Sequence, residues 1–350
     1  MKKELLIASA LVGSVGLAGV AEAASMTMSG SHKVGMKGLS LDSVTTSDTK
    51  DADQQSNFSI SVSETTDSGI SISTGFVIIN EGASSVNPSG LSLSFTDGSS
   101  LDLIEAGNAS DSHDVAIPAA AGELGGLPVS SLIAAPGGID FGGASDAVGF
   151  EWHSAADAFG IDGLSTSVSA SFNDEANATT AGAFDTGYGV GVTYVTTAGD
   201  TSVTLGAGMS QSDYIGINLT KDEGTAHAGI SATTGNLTVA VGHGTGDSVV
   251  TTANMAQRDS SVTEGGVKYV SGDMTFNVGF LNSSGTDEDY GTSGSSVKDE
   301  LKNTSASLSY AVASGVTANI GFKDQEVKTE GNVDTDESGS AWYVGATISF

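Results

Sequence analysis

Cysteine is absent from this chain, and arginine occurs once, at Arg258. Without cysteine no disulfide can stabilise the fold, so packing and hydrogen bonding must do it, and a continuous hydrogen-bonded sheet would suffice. The 12 basic residues are far fewer than the 42 acidic ones, which gives a net charge of −30. A nucleic-acid-binding protein needs clustered Lys and Arg to neutralise phosphates. The composition therefore excludes that class.

Proline and long apolar runs are also scarce. The chain has 4 prolines, and beyond residue 23 no segment supplies the roughly twenty apolar residues that a transmembrane helix needs. The mean hydropathy is close to zero, at +0.04. A barrel with one apolar and one wet face has such an average, and so does a soluble β-protein. The periodicity of the sequence must therefore distinguish the two.

The first 23 residues have the pattern of a removable secretory signal. Lys2 and Lys3 precede an apolar run from Leu5 to Val20, and a small-residue cleavage motif ends at Ala23. This apolar run is too short to span a bilayer comfortably. We therefore predict a signal peptide over residues 1–23 and a mature domain over residues 24–350.

The mature sequence alternates with a period of two, which is typical of strands that have two different faces. In the last strand the apolar residues share one face: Trp342, Val344, Ala346, Ile348 and Phe350. The strand lysines are out of phase with the apolar set: Lys33, Lys37, Lys268 and Lys323. This phase is required in a membrane barrel, because a Lys on the lipid face costs about 2–4 kcal/mol near the midplane.

Two kinds of connection alternate between these strands. Short Gly-, Asp- or Asn-containing turns lie near residues 66–69, 96–99, 197–200, 233–236, 270–273 and 313–315. Long acidic connections lie near residues 40–54, 82–88, 107–146, 173–184, 210–224, 245–261, 284–302 and 326–339. Short turns at one end and long loops at the other are typical of outer-membrane barrels. The sequence therefore predicts an all-β fold, a transmembrane antiparallel β-barrel of about sixteen strands.

The longest connection, residues 107–146, is the third of the long loops. It is too apolar for a freely solvated loop, so we predict that it folds inward and constricts the lumen. Its acidic residues would form the constriction: Glu105, Asp111, Asp114, Glu123, Asp140 and Asp146. The lysines Lys33, Lys37, Lys268 and Lys323 would form the opposite wall. Fixed charges select ions by sign, so we expect a cation preference; a solvated outer surface is the alternative interpretation of these carboxylates.

Catalytic and metal motifs are weak. The five histidines lack catalytic or metal-ligand spacing, so we predict that the chain is not an enzyme and requires no cofactor. The stretch from Asp334 to Gly339 resembles the first half of a calcium loop, but Gly345 occupies the position of the bidentate Glu. Weak binding of calcium or another divalent cation is one interpretation of the acidic clusters, and a solvated charge run is the other. The candidate ligands are Asp287, Glu288, Asp289, Asp334, Asp336 and Glu337.

Three stretches resemble the Gram-negative general porins, in particular their alphaproteobacterial, Rhodobacter-type branch. These are the segment from Met26 to Lys37 after the signal peptide, the strand from Val148 to His153 after the long third loop, and the terminal strand from Trp342 to Phe350. The terminal Phe350, with the apolar residues before it, resembles the barrel-assembly signal of that class. The resemblance implies a homotrimer of sixteen-stranded barrels in the outer membrane, in contact with lipid, lipopolysaccharide and the barrel-assembly machinery. It also implies an arginine-rich pore wall, from which this chain departs because it has one arginine.

The leading functional hypothesis is a porin for passive diffusion of ions and small hydrophilic solutes. Two alternatives remain open from the sequence. One is an outer-membrane barrel that acts mainly as a surface adhesin or receptor, and the other is a soluble, acidic, secreted β-protein.

Overall fold

Sixteen β-strands make up most of the part of the chain that the computed structural model describes, which is residues 24–41, 49–81, 83–103, 108–121, 148–172, 184–214, 223–249, 257–288, 297–329 and 337–350. The strands are β1 (Ser25–Leu41), β2 (Thr49–Thr65), β3 (Ser71–Glu81), β4 (Ala83–Ser94), β5 (Ser100–Leu103), β6 (Val148–His153), β7 (Leu164–Phe172), β8 (Phe184–Ala198), β9 (Thr201–Tyr214), β10 (Glu223–Thr234), β11 (Leu237–Val249), β12 (Gln257–Ser271), β13 (Met274–Glu288), β14 (Val297–Ala313), β15 (Val316–Thr329) and β16 (Glu337–Ser349). Two 3₁₀ turns, Asp111–His113 and Ala158–Gly160, are the helical elements of this part of the chain. None of its helices is long and apolar enough to cross a membrane.

The sheet closes on itself. Each strand pairs antiparallel with the next, and β1 pairs with β16 to complete a sixteen-strand barrel. At the seam the backbone of Phe350 exchanges two hydrogen bonds with Gly30, at 2.9 and 3.0 Å. Closure leaves no unpaired sheet edge, which a membrane environment requires. The predicted fold class is confirmed.

The tight turns lie at one end of the barrel, as predicted. Glycines with positive φ stand at these turns, for example Gly235 (φ 55) and Gly272 (φ 58). Most of the residues that connect strands at the opposite end lie outside the described ranges.

The strands at this opposite end are longer than the sequence predicted. The expected long connection at residues 82–88 is wrong, because β4 already begins at Ala83. Pro88 ended the predicted connection, yet it pairs with Phe76 inside β4, beside a β-bulge opposite Gly75. The expected loop at residues 40–54 is likewise too long, since β2 begins at Thr49.

The two faces of the wall differ in chemistry as the period of two predicts. Large apolar side chains point outward and are exposed, for example Met36 (52%) and Val278 (53%). The inward positions carry small and polar residues, including Asn277, Ser305 and Ser307, which are buried. The apolar outer face matches the lipid and the polar inner face lines the lumen.

Candidate functional site

The described part of the third long connection, residues 108–121, crosses the inner face of the barrel from β7 to β14. At one end the backbone N–H of Ala109 donates to Ser169 Oγ, at 3.0 Å. At the other end the N–H groups of Ala120 and Ala121 donate to Ser305 Oγ (3.2 Å) and Ser307 Oγ (2.8 Å) on β14, and the hydroxyl of Tyr343 on β16 donates to the carbonyl of Ala121. We call residues 108–121 the lumen segment. Its position confirms the predicted inward fold for this described part of the loop.

A track of glycines on the wall accommodates the lumen segment. A Cβ atom at Gly279 would stand 2.6 Å from the carbonyl oxygen of Pro118, and one at Gly229 would stand 2.9 Å from Val115 Cβ. Because real Cβ atoms do not approach other atoms so closely, only glycine allows the segment to lie this near to the sheet. These inner-face residues, the glycine groove, are Gly189, Gly191, Gly206, Gly208, Gly229, Gly266 and Gly279.

His227 on β10 holds the middle of the lumen segment. Its Nδ1 atom lies 2.8 Å from Asp114 Oδ1, and its Nε2 atom lies 2.9 Å from the carbonyl oxygen of Ser110. A carboxylate and a carbonyl oxygen both accept hydrogen bonds, so these contacts are satisfied when both ring nitrogens carry a proton. A protonated His227 therefore fixes two points of the segment to the wall.

His113, on the segment itself, fills the space between those two points. Its Nδ1 lies 2.7 Å from Thr193 Oγ1 and its Nε2 lies 2.8 Å from Ser167 Oγ. Burial lowers the pKa of the His113 imidazole below its usual range, and the nearby His153 and His227 lower this pKa further. His113 is therefore held neutral in contact with hydroxyl groups.

A second wall histidine continues this network. His153 Nδ1 lies 2.8 Å from the same Ser167 Oγ, and His153 Nε2 lies 3.1 Å from Asp102 Oδ2. The order of Asp102, His153 and Ser167 is that of a catalytic triad, but Ser167 is only 1% exposed and contacts imidazoles on two sides. A nucleophile must reach its substrate, so the arrangement is structural.

Glu151, 3% exposed, accepts a hydrogen bond from Ser112 of the segment at 2.5 Å.

Two of the predicted constriction acids lie in the lumen segment. Asp111 begins its 3₁₀ turn, and Asp114 is paired with His227 while 44% of its side chain remains exposed. Glu105, Glu123, Asp140 and Asp146 lie outside the described residues.

All four predicted wall lysines lie on inward positions of their strands. Lys33 and Lys37 are on β1, eight strands from β9 in the sixteen-strand ring and therefore across the lumen from Asp111 and Asp114. The charge of Lys37 is offset by Asp53, whose Oδ2 lies 2.5 Å from Nζ. Lys323 is on β15, and Lys268 is on β12, two strands from His227 and so on the same side as the segment.

The predicted divalent-cation ligands are not located by this structure. Asp289, Asp334 and Asp336 lie outside the described residues, and Asp287, Glu288 and Glu337 lie at strand ends where only the backbone is described. Within the described ranges no group of three or more His, Asp or Glu side chains could hold a metal ion. Weak divalent binding stays a prediction.

Sequence reasoning missed the role of the histidines. Each histidine is isolated in the sequence, yet barrel closure brings His113, His153 and His227 together around the lumen segment. One signal was present, because His153 and His227 both have the parity of inward positions on their strands. The alternation along a strand shows whether a side chain points into the lumen or outward, but it does not show which inward side chains contact the loop.

Comparisons with known proteins agree with this geometry. A family model described as Gram-negative porin matches residues 8–330. No curated protein matches the sequence significantly. The chain is similar to solved outer-membrane barrels, at identities so low that the likeness shows the fold alone.

Three of these structures illustrate the range of structural similarity. The anion-selective porin from Comamonas acidovorans has a TM-score of 0.65 and 15% identity, with 93% of this chain and 100% of that chain covered. The trimer form of OmpT, an outer membrane protein of Vibrio cholerae, has a TM-score of 0.61 and 13% identity, with 94% and 100% covered. A variant of the Rh. blastica porin has a TM-score of 0.57 and 14% identity, with 93% and 100% covered.

Proposed function

Because this chain belongs to the Gram-negative porin family, we propose that it forms a water-filled channel in the outer membrane, through which ions and small hydrophilic solutes diffuse passively with a preference for cations. The outer-membrane location of the family removes the alternative of a soluble secreted protein. The observation that supports a channel most directly is the lumen segment, which the glycine groove holds flat against the wall. A loop held against the wall narrows a lumen without having to fill it.

The proposed cation preference follows from the charges around the lumen segment. The carboxylates of the segment and of the wall beside it outnumber the cations: they are Asp102, Asp111, Asp114, Glu151 and Glu264. His227 is paired with Asp114, and Lys37 across the lumen is paired with Asp53. Fixed carboxylates around a narrow lumen attract cations and repel anions. The Comamonas acidovorans protein has the same fold and is described as anion-selective. The sign of selectivity in this fold therefore depends on side chains.

Solute uptake by proteoliposomes tests the channel. Vesicles that contain the purified protein should swell in an isotonic solution of a small neutral sugar, at a rate that falls as the sugar becomes larger. Protein-free vesicles and vesicles with heat-denatured protein are the controls. If folded protein gives no swelling, the lumen is occluded and the chain is better explained as a surface adhesin or receptor.

We also propose that the barrel is a homotrimer. The outer face of β1 and β2 supports this, because His32 Nδ1 lies 2.9 Å from Ser56 Oγ there, among residues that otherwise suit lipid. A polar pair on the lipid face is costly, and a subunit contact would shield it. The Vibrio cholerae relative is described in a trimer form.

The remaining proposals concern assembly and chemistry. We propose that the terminal strand is read by the barrel-assembly machinery and that lipopolysaccharide surrounds the outer leaflet side of the barrel. The channel would need no cofactor and would catalyse no reaction, and any divalent cation would bind weakly to the acidic loops.

A further inference from the structure

The hydrogen bonds around His113 form a chain with a fixed direction. Asp102 can only accept when ionised, so the Nε2–H of His153 donates to it and leaves Nδ1 of a neutral His153 as an acceptor. Ser167 must then donate to His153 and accept from the Nε2–H of His113. The remaining Nδ1 of His113 accepts from the hydroxyl of Thr193. With both histidines neutral, every polar hydrogen of the chain has an acceptor.

This chain can take up one proton but not two. If His153 is protonated, Ser167 accepts from it, and His113 changes tautomer so that Ser167 can donate to Nε2 while Nδ1–H donates to Thr193. If His113 is protonated as well, both imidazoles donate to Ser167 and its own hydroxyl hydrogen has no acceptor. Ser167 is 1% exposed, so water cannot replace the lost partner, and an unsatisfied buried polar group is costly. The two imidazolium rings would also repel each other, because both contact the same Ser167 Oγ.

The contacts of His227 respond to a proton in the opposite way. Its Nδ1 faces the carboxylate of Asp114, and its Nε2 faces both the carbonyl oxygen (2.9 Å) and the hydroxyl (3.0 Å) of Ser110, so a protonated ring keeps its contacts with both residues. Ser110 and Asp114 stand on either side of the Asp111–His113 turn. Acid therefore keeps the contacts of Ser110 and Asp114 with His227, while it removes the contact of His113 with Ser167.

We propose that the Asp111–His113 turn contains an acid-driven switch, in which His113 takes up a proton when His153 is also protonated, leaves its contact with Ser167 and enters the lumen as a cation between the fixed points at Ser110 and Asp114. The inference rests on the proposed channel function. A His113 side chain that enters the lumen narrows the constriction, and its positive charge opposes cation passage. Acid should therefore lower both the conductance and the cation preference.

The charged surroundings of His113 set the direction and range of the response. The pKa of His113 is lower when it contacts Ser167 than when it is free. Above the ordinary histidine pKa this contact is fully favourable, and it weakens as the pH falls below that value. The contact is lost once the pH passes the lower pKa of the docked form. Asp and Glu ordinarily titrate below about pH 4.5, so the histidines respond first. The elements packed against His113 from β7, β8 and β9 present neutral groups: Ser167, Thr193, Gly191 and Gly206. The titratable groups around it in the described residues are Asp111 and Asp114 of the segment, Asp102, Glu151, His153, His227 and Glu264.

Single-channel recording between pH 7.5 and pH 4.5 tests the switch. The wild-type conductance should fall with acid, and the fraction of switched channels should rise by at most about a hundredfold per pH unit, because release requires protons on both His113 and His153. The reversal potential in a salt gradient should move toward zero over the same range. In His113→Asn, which cannot be protonated, this histidine-dependent fall should be lost when each variant is normalised to its own conductance at pH 7.5. His153→Gln should also lose it or shift it to lower pH, because Ser167 can then accept from a protonated His113 and donate to Gln.

His243→Gln is the matched control, since His243 bonds Thr263 at 2.8 Å on the outer face of the wall. It should respond to acid as the wild type does. The proposal is overturned if His113→Asn and His153→Gln both keep the wild-type decline, or if His243→Gln removes it. Absence of any conductance steps at pH 7.5 would instead overturn the channel function itself.

Discussion

Nδ1 of His227 on the barrel wall lies 2.8 Å from Oδ1 of Asp114 on the lumen segment. The contact fixes an acidic side chain at one place on the wall, while 44% of that side chain still faces solvent in the lumen. A carboxylate on a free loop would spread its charge over many positions. Here the charge is held at one place, so in the proposed channel its effect on ion selectivity can be measured.

The double substitution Asp111→Asn, Asp114→Asn should reduce the cation-to-anion permeability ratio. Two unit charges about 4 Å apart interact by about 1 kcal/mol in water. A lost carboxylate removes both the attraction of the cation and the repulsion of the anion, so each one should lower the ratio by up to about thirtyfold. The reversal potential in a potassium chloride gradient measures it. Asp200→Asn, in the tight turn between β8 and β9, is the control and should leave the ratio unchanged. An unaltered ratio in the double variant would show that these acids do not border the ion path.

Gly266→Ala should destabilise the docked lumen segment. The new Cβ would collide with the backbone of Pro118, and backbone cannot move aside as a flexible side chain can. Overpacking of this kind costs about 1–3 kcal/mol. The midpoint of denaturant-induced unfolding in detergent should fall, and the current through single channels should become noisier.

Gly242→Ala is the control for this substitution. Gly242 is also on the inner face, but its Cβ would meet Ile117 Cδ1 at 3.6 Å, an ordinary contact. Equal effects of the two substitutions would mean that the glycine groove does not position the segment.

His32→Val should weaken the proposed trimer. If His32 and Ser56 lie at a subunit contact, the substitution removes their hydrogen bond and leaves Ser56 without its partner. The temperature at which the oligomer dissociates on semi-native electrophoresis should therefore fall. His243→Val is the comparison, because His243 and Thr263 form the other outward histidine–hydroxyl pair, on β11 and β12. If the subunit contact lies at β1 and β2, this substitution should not lower that temperature, and a fall with His243→Val alone would place the contact at β11 and β12. A higher dissociation temperature for His32→Val would show that His32 faces lipid.

Phe350→Ser should reduce assembly in cells more than folding in detergent. Half of the Phe350 side chain is exposed, at 52%, and its ring centroid is 6.5 Å from that of Phe58. The backbone pairs that close the seam with Gly30 do not need this ring. The yield of heat-modifiable barrel in outer membranes reports recognition by the assembly machinery, and the yield of refolding from urea into detergent reports stability. Ser349→Ala is the control in both assays. Equal losses in both assays would make Phe350 a structural residue rather than an assembly signal.

The parity of the strands made the barrel predictable from sequence. Apolar residues such as Val344 and Ile348 alternate with small or polar ones over most strands, and glycine turns recur between them. This local information determines which face is apolar and where the chain reverses. The porin resemblance, based on the same strands and on the terminal Phe350, is confirmed by the family match.

Features that depend on distant residues were less predictable. The stretch 82–88 was predicted as a connection, because the bulge that lets Pro88 lie within β4 is visible only when the partner strand is known. His113 and His153 looked isolated because Ser167, the residue that joins them, is separated from both in sequence. Such contacts form when the ring closes and the loop folds inward, so no local pattern encodes them.

Recording from purified, heat-modifiable protein in a planar bilayer at neutral pH tests the central claim most directly. A water-filled channel should give discrete, reproducible conductance steps, with a reversal potential of the sign that cations produce in a salt gradient. Folded protein that inserts without such steps, or steps with the reversal potential of an anion-selective pore, would contradict it.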